Sequence, residues 1–253
     1  DGRLQPGFRY LGGEGVMAGT LYVIGVGPGD PELITLKGAR ILASVGSICV
    51  PKGREEGSSL ALSIVEKAVN LEGKEIVEVF FPMQRTDGPG AGEVEARWNE
   101  AARLILERLA RGTDVAFVTI GDPAFYSTFF YLYDRLLGAD PGLAVEIVPG
   151  VTSISACASL ARVYLGLGSD RIAVMPASRA GDLKAVLGAF DTVVLMKVGS
   201  SMDKVAAALA EAGLLEKGVC VSRAGLPGER VWADLASVKP GDLDYFSVVI
   251  VKK

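Results

Sequence analysis

Short apolar runs alternate along this chain with segments whose apolar positions recur at helical spacing. The runs 20–26 (TLYVIGV), 114–120 (DVAFVTI), 143–148 (LAVEIV), 171–177 (RIAVMPA), 192–198 (TVVLMKV) and 217–224 (KGVCVSRA) predict strands, joined by shorter ones at 47–50 and 74–81. Between them the pattern predicts helices over 35–45, 58–69, 95–111, 152–163, 179–188 and 201–211, and a turn followed by an aromatic helix over 121–137. Thr35 and the serines at 58–59 stand at cap positions. The clearest helix is 95–111, where Trp98, Ala101, Ala102, Ile105 and Leu109 form one apolar stripe, with Glu107/Arg111 as an i,i+4 pair beside it. The runs 229–235 and 245–251 have no helix between them, which predicts an antiparallel or mixed end to a second sheet.

This alternation places the chain in the α/β class. The elements are too many for one sheet. The Gly-Asp-Pro-Ala turn near residue 122 is the expected boundary between two closely packed α/β domains, 19–122 with a mainly parallel sheet and 123–253 with a mixed one. Residues 1–18 carry no period and read as a poorly ordered extension, with Met17 a candidate start.

Composition narrows the function. The chain of 253 residues is 49% hydrophobic, enough for a large core, and carries a net charge of −4 with no Lys/Arg-rich run. That disfavours a nucleic-acid or anionic-membrane partner. No apolar run approaches the roughly 20 residues of a membrane span, and no basic-then-apolar leader opens the sequence. Cys49, Cys157 and Cys220 are scattered, as expected of buried reduced thiols in a cytoplasmic protein. Histidine is absent, which removes the commonest general base and metal ligand. No metal site is expected from the protein, and any catalysis must depend mainly on positioning or on other residue types.

The stretch LYVIGVGPGDPEL (21–33) runs a strand into a glycine-rich turn, the usual way of bringing backbone close to a nucleotide or phosphate. A dinucleotide site also needs a third glycine, where Asp30 stands, and an acid ending the second strand, where Pro51-Lys52-Gly53 stands. A P-loop lysine motif is missing as well. Three further stretches, VTIGDPAFYST (118–128), VPGVTSISACAS (148–159) and VVLMKVG (193–199), put small residues or Met at strand ends, the edge where ligands of open α/β sheets bind.

In that order, YVIGVGPGDPELITLKGARIL, GDPAFYST, VPGVTS and SRAGLPGERV resemble the tetrapyrrole methylases, S-adenosylmethionine-dependent enzymes that modify the corrin precursor ring. The match runs from about Thr20 to Val251. VPKG, SLALSIV, FFPM and RIAVMPA make it most similar to the members that methylate C20 of precorrin-2. The resemblance implies a homodimer, a cofactor cleft between two domains, and S-adenosylmethionine held by Pro28, Ile120, Gly121, Asp122, Tyr126, Thr152, Ser153, Met196 and Ala224. Ile120 replaces the first glycine of a Gly-Gly-Asp pattern, tolerable where only its main chain contributes. Ala224 stands in place of the glycine of an Asn-Gly pair.

The implied chemistry suits a chain without histidine. An activated methyl is displaced in line onto a nucleophilic meso carbon, which requires donor and acceptor about 3 Å apart and little water. The proton acceptor is open between a carboxylate, Tyr126 and solvent. The tetrapyrrole is a polycarboxylate, so basic residues near the cleft, Lys52, Arg54, Arg85, Arg97 and Arg179, are candidates for holding it, with Arg85 and Arg179 foremost. The Gly-rich 85–92 is either a lid or a plain connection. The competing readings are another corrin-ring methylase, a methylase of translation components, and a silent module that binds cofactor or tetrapyrrole.

Overall fold

The computed structural model describes residues 19–53, 59–81, 91–178 and 183–253. The 1–18 extension, Arg54, Arg85 and Arg179 lie outside the described residues. The strands are β1 (Leu21–Gly25), β2 (Ser47–Lys52), β3 (Glu75–Phe80), β4 (Val115–Thr119), β5 (Val145–Val148), β6 (Ile172–Pro176), β7 (Thr192–Met196), β8 (Gly218–Ser222), β9 (Arg230–Trp232) and β10 (Ser247–Lys252). The helices are α1 (Leu36–Ser44), α2 (Leu60–Ala68), α3 (Ala91–Leu109), α4 (Phe129–Ala139), α5 (Ser153–Ala161), α6 (Leu183–Ala189) and α7 (Met202–Glu211).

Two five-stranded sheets result. The first, in order β3-β2-β4-β1-β5, is parallel throughout. Its central strands are apolar on both faces, so successive residues feed opposite layers. Val115 and Phe117 of β4 pack under α3 and α4, while Ala116 and Val118 pack under α1 and α2. The α3 stripe from Trp98 to Leu109 is buried in the first of these layers. Glu107 pairs with Arg103, one turn earlier, rather than with Arg111. The cap signals hold: Thr35 Oγ1 accepts from Gly38 N–H at 3.1 Å and Ser59 Oγ from Leu62 N–H at 3.4 Å.

The second sheet, β6-β7-β10-β8-β9, is mixed, because β10 enters antiparallel between β7 and β8. One face packs on α6 and α7 through Val193, Leu195, Val249 and Val251; the other packs on α5 through Val194, Val221, Val248 and Ile250. β5 falls after the expected boundary at 122 yet pairs with β1 in the first sheet, and α4 packs on that sheet too. The chain passes to the second sheet only as it enters α5, and we propose 149–152 as its division. On that division the small residues near 122 belong to a loop inside the first unit.

Candidate active site

The glycines of the first loop meet other backbone. Val26 N–H donates to Thr119 O at 2.9 Å, and Gly121 N–H donates to Gly27 O at 2.7 Å, bridging the loops that follow β1 and β4. Gly25 and Gly150 lie so close that a Cβ on either would stand 2.8 Å from the other's Cα. Gly29 faces the second sheet, where a Cβ would stand 2.7 Å from the Gly225 carbonyl carbon and from Leu226. The glycine-rich turn is thus consumed by protein–protein backbone packing that joins three strand-end loops and the two sheets. Gly121 is different. It has φ 74° and open space where a Cβ would be.

Asp122 fastens this junction. Its Oδ2 accepts from Gly150 N–H at 2.9 Å and its Oδ1 from Ala124 N–H at 2.8 Å. On the second sheet, Arg223 donates to Pro227 O at 2.6 Å and to Asp244 Oδ2 at 2.8 Å, and Glu229 Oε2 accepts from Gly225 N–H at 2.7 Å. These bonds hold Gly225 and Leu226 against the first loop and tie them to the Tyr245 segment. Thr152 caps α5 by accepting from Ser155 N–H at 3.2 Å, which leaves Ser153 at the first helical position.

Between the sheets opens a cleft of about 920 Å³, towards the top of the ~300–1,000 Å³ range of small-molecule sites. All nine residues named from sequence for the cofactor line it: Pro28, Ile120, Gly121, Asp122, Tyr126, Thr152, Ser153, Met196 and Ala224. The loops after residues 26, 119, 150 and 195 converge there. Ile120 packs its side chain against the α1/α2 layer. Of the basic candidates, Lys52 lines the cleft and pairs with Glu78 at 3.0 Å, while Arg97 sits on α3 with its guanidinium 5.5 Å from the Phe80 ring centre.

The cleft also contains residues that sequence reasoning missed, among them Lys197, Tyr245, Phe246 and Leu226. Lys197 directly follows Met196 and was within reach of the strand-end rule. Tyr245 and Phe246 precede β10, whose reversed direction brings its start to the edge where β7 ends. Tyr126 (φ 55°) and Lys197 (φ 59°) occupy the left-handed region, a strain of about 1–2 kcal/mol for each side chain. Cys157 lies against the cleft, but burial pushes its thiol up to about 12, so it remains protonated and is no nucleophile. Among the described residues no group of three or more His, Cys, Asp or Glu is placed to hold a metal, and no helix is long and apolar enough to cross a membrane.

Gly121 provides a direct probe. In Gly121→Ala the methyl group enters open cleft, so the fold should survive with a loss of about 1 kcal/mol from the positive φ. Affinity for S-adenosylhomocysteine should fall at least roughly tenfold, about 1.4 kcal/mol. Calorimetric titration beside a melting curve measures both, and unchanged affinity would show that the ligand does not approach this loop.

A cleft between a parallel and a mixed sheet, walled by four strand-end loops, accords with the comparisons. The chain belongs to the tetrapyrrole (corrin/porphyrin) methylases, whose family model matches residues 20–239. A cobalt-precorrin-2 C(20)-methyltransferase from Salmonella typhimurium is 41% identical over 239 residues, covering 94% of this chain and 98% of its own. A precorrin-2 C(20)-methyltransferase from a Sinorhizobium species is 33% identical, covering 94% and 97%. Among solved structures, a uroporphyrin-III C-methyl transferase from Thermus thermophilus complexed with S-adenosyl homocysteine superposes with a TM-score of 0.64 at 25% identity, covering 93% and 98%. A cobalt precorrin-4 methyltransferase shares the fold at a TM-score of 0.68 and 23% identity, covering 92% and 94%.

Proposed function

We propose that this protein transfers a methyl group from S-adenosylmethionine to the C20 meso carbon of precorrin-2, or of its cobalt complex, in cobalamin biosynthesis. What carries the reading is that relatives at 41% and 33% identity, matched over nearly their whole length, are both C20-methyltransferases. The cleft suits the donor. Gly121 leaves open space, the start of α5 at Ser153 offers backbone N–H groups to polar atoms, and Met196, Leu226 and Val248 supply apolar wall.

S-adenosylmethionine brings a methyl group already activated on a sulfonium. The protein's own part is then to orient and to exclude water. Asp122 and the Gly25–Gly150 contact fix the loops, and the apolar lining keeps the interior dry. Tyr126, half-exposed on the cleft, belongs with the cofactor-side residues in this reading. Arg85 and Arg179 remain the foremost arginines for the substrate carboxylates. A homodimer and a cytoplasmic location belong to the same reading, and light scattering of the purified protein tests the first.

The test is turnover. Protein incubated with isotope-labelled S-adenosylmethionine and, in parallel, metal-free and cobalt-loaded precorrin-2 should give a product heavier by one methyl in at least one arm. Binding of both ligands with no methylated product in either arm would favour the silent-binder reading and overturn this one.

A further inference from the structure

The cleft must accept a polycarboxylate, yet few of its charges are free to meet one. Three ionised side chains among its described lining residues decide the balance: Lys52, Asp122 and Lys197. Lys52 is neutralised by Glu78 at 3.0 Å, and the Asp122 carboxylate is taken up by the Gly150 and Ala124 N–H groups. Lys197 has no carboxylate within ion-pair reach among the described residues. Its ammonium lies instead 5.6 Å from the centre of the Tyr126 ring and 4.9 Å from that of Tyr245. Both rings are about half-exposed, at 48% and 46%, and both line the cleft.

Backbone strain points the same way. Lys197 and Tyr126 each sit at a positive φ where glycine would be relaxed, on different loops, and their side chains meet. Non-glycine residues held at such strained positions cluster at active sites and ligand clamps. The aromatic faces hold the ammonium in place without cancelling its charge, as a carboxylate partner would. They also present flat apolar surface beside a fixed cation, which is the pairing that an acidic conjugated macrocycle offers in reverse.

We propose that Lys197, held between Tyr126 and Tyr245, is an anchor for a carboxylate of the tetrapyrrole and sets how the ring is placed in the cleft. The inference rests on the methyltransferase reading above and deepens it, because it names the group that grips the acceptor rather than the donor.

The experiment compares wild type with Lys197→Gly and Lys197→Arg. Glycine at φ 59° relieves strain, so this variant should melt no lower than wild type, which separates loss of the grip from loss of the fold. The probes are sirohydrochlorin, an oxidised form of the same polycarboxylate macrocycle, and S-adenosylhomocysteine, each titrated by itself. Lys197→Gly should bind sirohydrochlorin roughly tenfold to a hundredfold more weakly, the loss expected of one charge-assisted contact. Its binding should also depend less on salt. Lys197→Arg should recover part of the affinity, and S-adenosylhomocysteine affinity should change little in either variant. If wild type binds sirohydrochlorin and Lys197→Gly binds it equally well, the anchor falls while the functional reading stands. If Lys197→Gly loses S-adenosylhomocysteine affinity to the same degree, the lysine serves the donor and the anchor again falls. If wild type binds no sirohydrochlorin at any salt, the anchor falls, and the turnover assay with precorrin-2 decides the functional reading by itself.

Discussion

Gly150→Ala should leave the protein with a melting temperature lower by roughly 10 °C, or unable to accumulate in folded form. The added methyl would be driven onto the Gly121 carbonyl oxygen and to 2.8 Å from Gly25 Cα. Those atoms are backbone in three loops that are already cross-bonded, so none can swing aside as a side-chain tip would. Overpacking usually costs about 1–3 kcal/mol, and a rigid backbone contact belongs at or above the top of that range. At about 2–4 °C per kcal/mol for a chain of this size, the melting shift follows. Gly25→Ala meets the same atoms from the other side and should behave alike. Gly73→Ala is the control: its Cβ meets nothing, and only the φ of 75° is strained. Melting curves for the three variants check the argument, and a Gly150→Ala protein as stable as Gly73→Ala would contradict it.

Asp122→Ala should reduce both stability and cofactor affinity. Two backbone N–H groups on different loops lose a charged acceptor, each such bond contributing about 1.5–3 kcal/mol. Asp122 is partly exposed, so water replaces some of the loss, and about 2–4 kcal/mol in total is expected. Freed from Gly150, the 120–124 loop would no longer hold Gly121 open to the cleft, and affinity for S-adenosylhomocysteine should drop by roughly tenfold or more. Asp122→Asn keeps one good acceptor and places an amide against the other N–H, so it should fall between the two. Equal effects of the two substitutions would mean that the carboxylate does not act as a two-loop clamp.

The elements themselves were legible in the sequence, because their signals are local. Apolar runs predicted the strands and the Trp98-to-Leu109 stripe predicted α3, each to within a few residues of the observed bounds. Ser59 and Thr35 announced their helices through capping chemistry. The strand order was not legible, since nothing local tells β4 to sit between β2 and β1. The boundary near 122 was drawn from small residues in a turn. A turn within a domain and a turn that separates domains share the same composition, and the pairing of β5 with β1 is what favours the first here. For the same reason the glycine-rich turn at 25–29 suggested a nearby nucleotide or phosphate, whereas Gly25 and Gly29 pack against Gly150 and Gly225.

The nine positions named from sequence for the cofactor came together in one cleft because strands that run the same way end at one edge: β1, β4 and β5 in the parallel sheet, and β7 and β8, which both run against β10, in the mixed one. That rule counts only where strands finish. β10 runs the opposite way, so Tyr245 and Phe246, which stand at its beginning, reach the same edge and were passed over. The Lys197–Tyr126–Tyr245 group was invisible for a related reason. Its members lie far apart in sequence, on three loops, and meet only after both sheets have formed.

Product formed from precorrin-2, metal-free or cobalt-loaded, with S-adenosylmethionine carrying a carbon-13 methyl should show, by NMR, one enriched methyl bonded to the C20 meso carbon and none elsewhere on the ring. An enriched methyl on any other ring carbon would assign the protein to a different step of corrin methylation, and a ring recovered without label would mean that the protein transfers no methyl group to it.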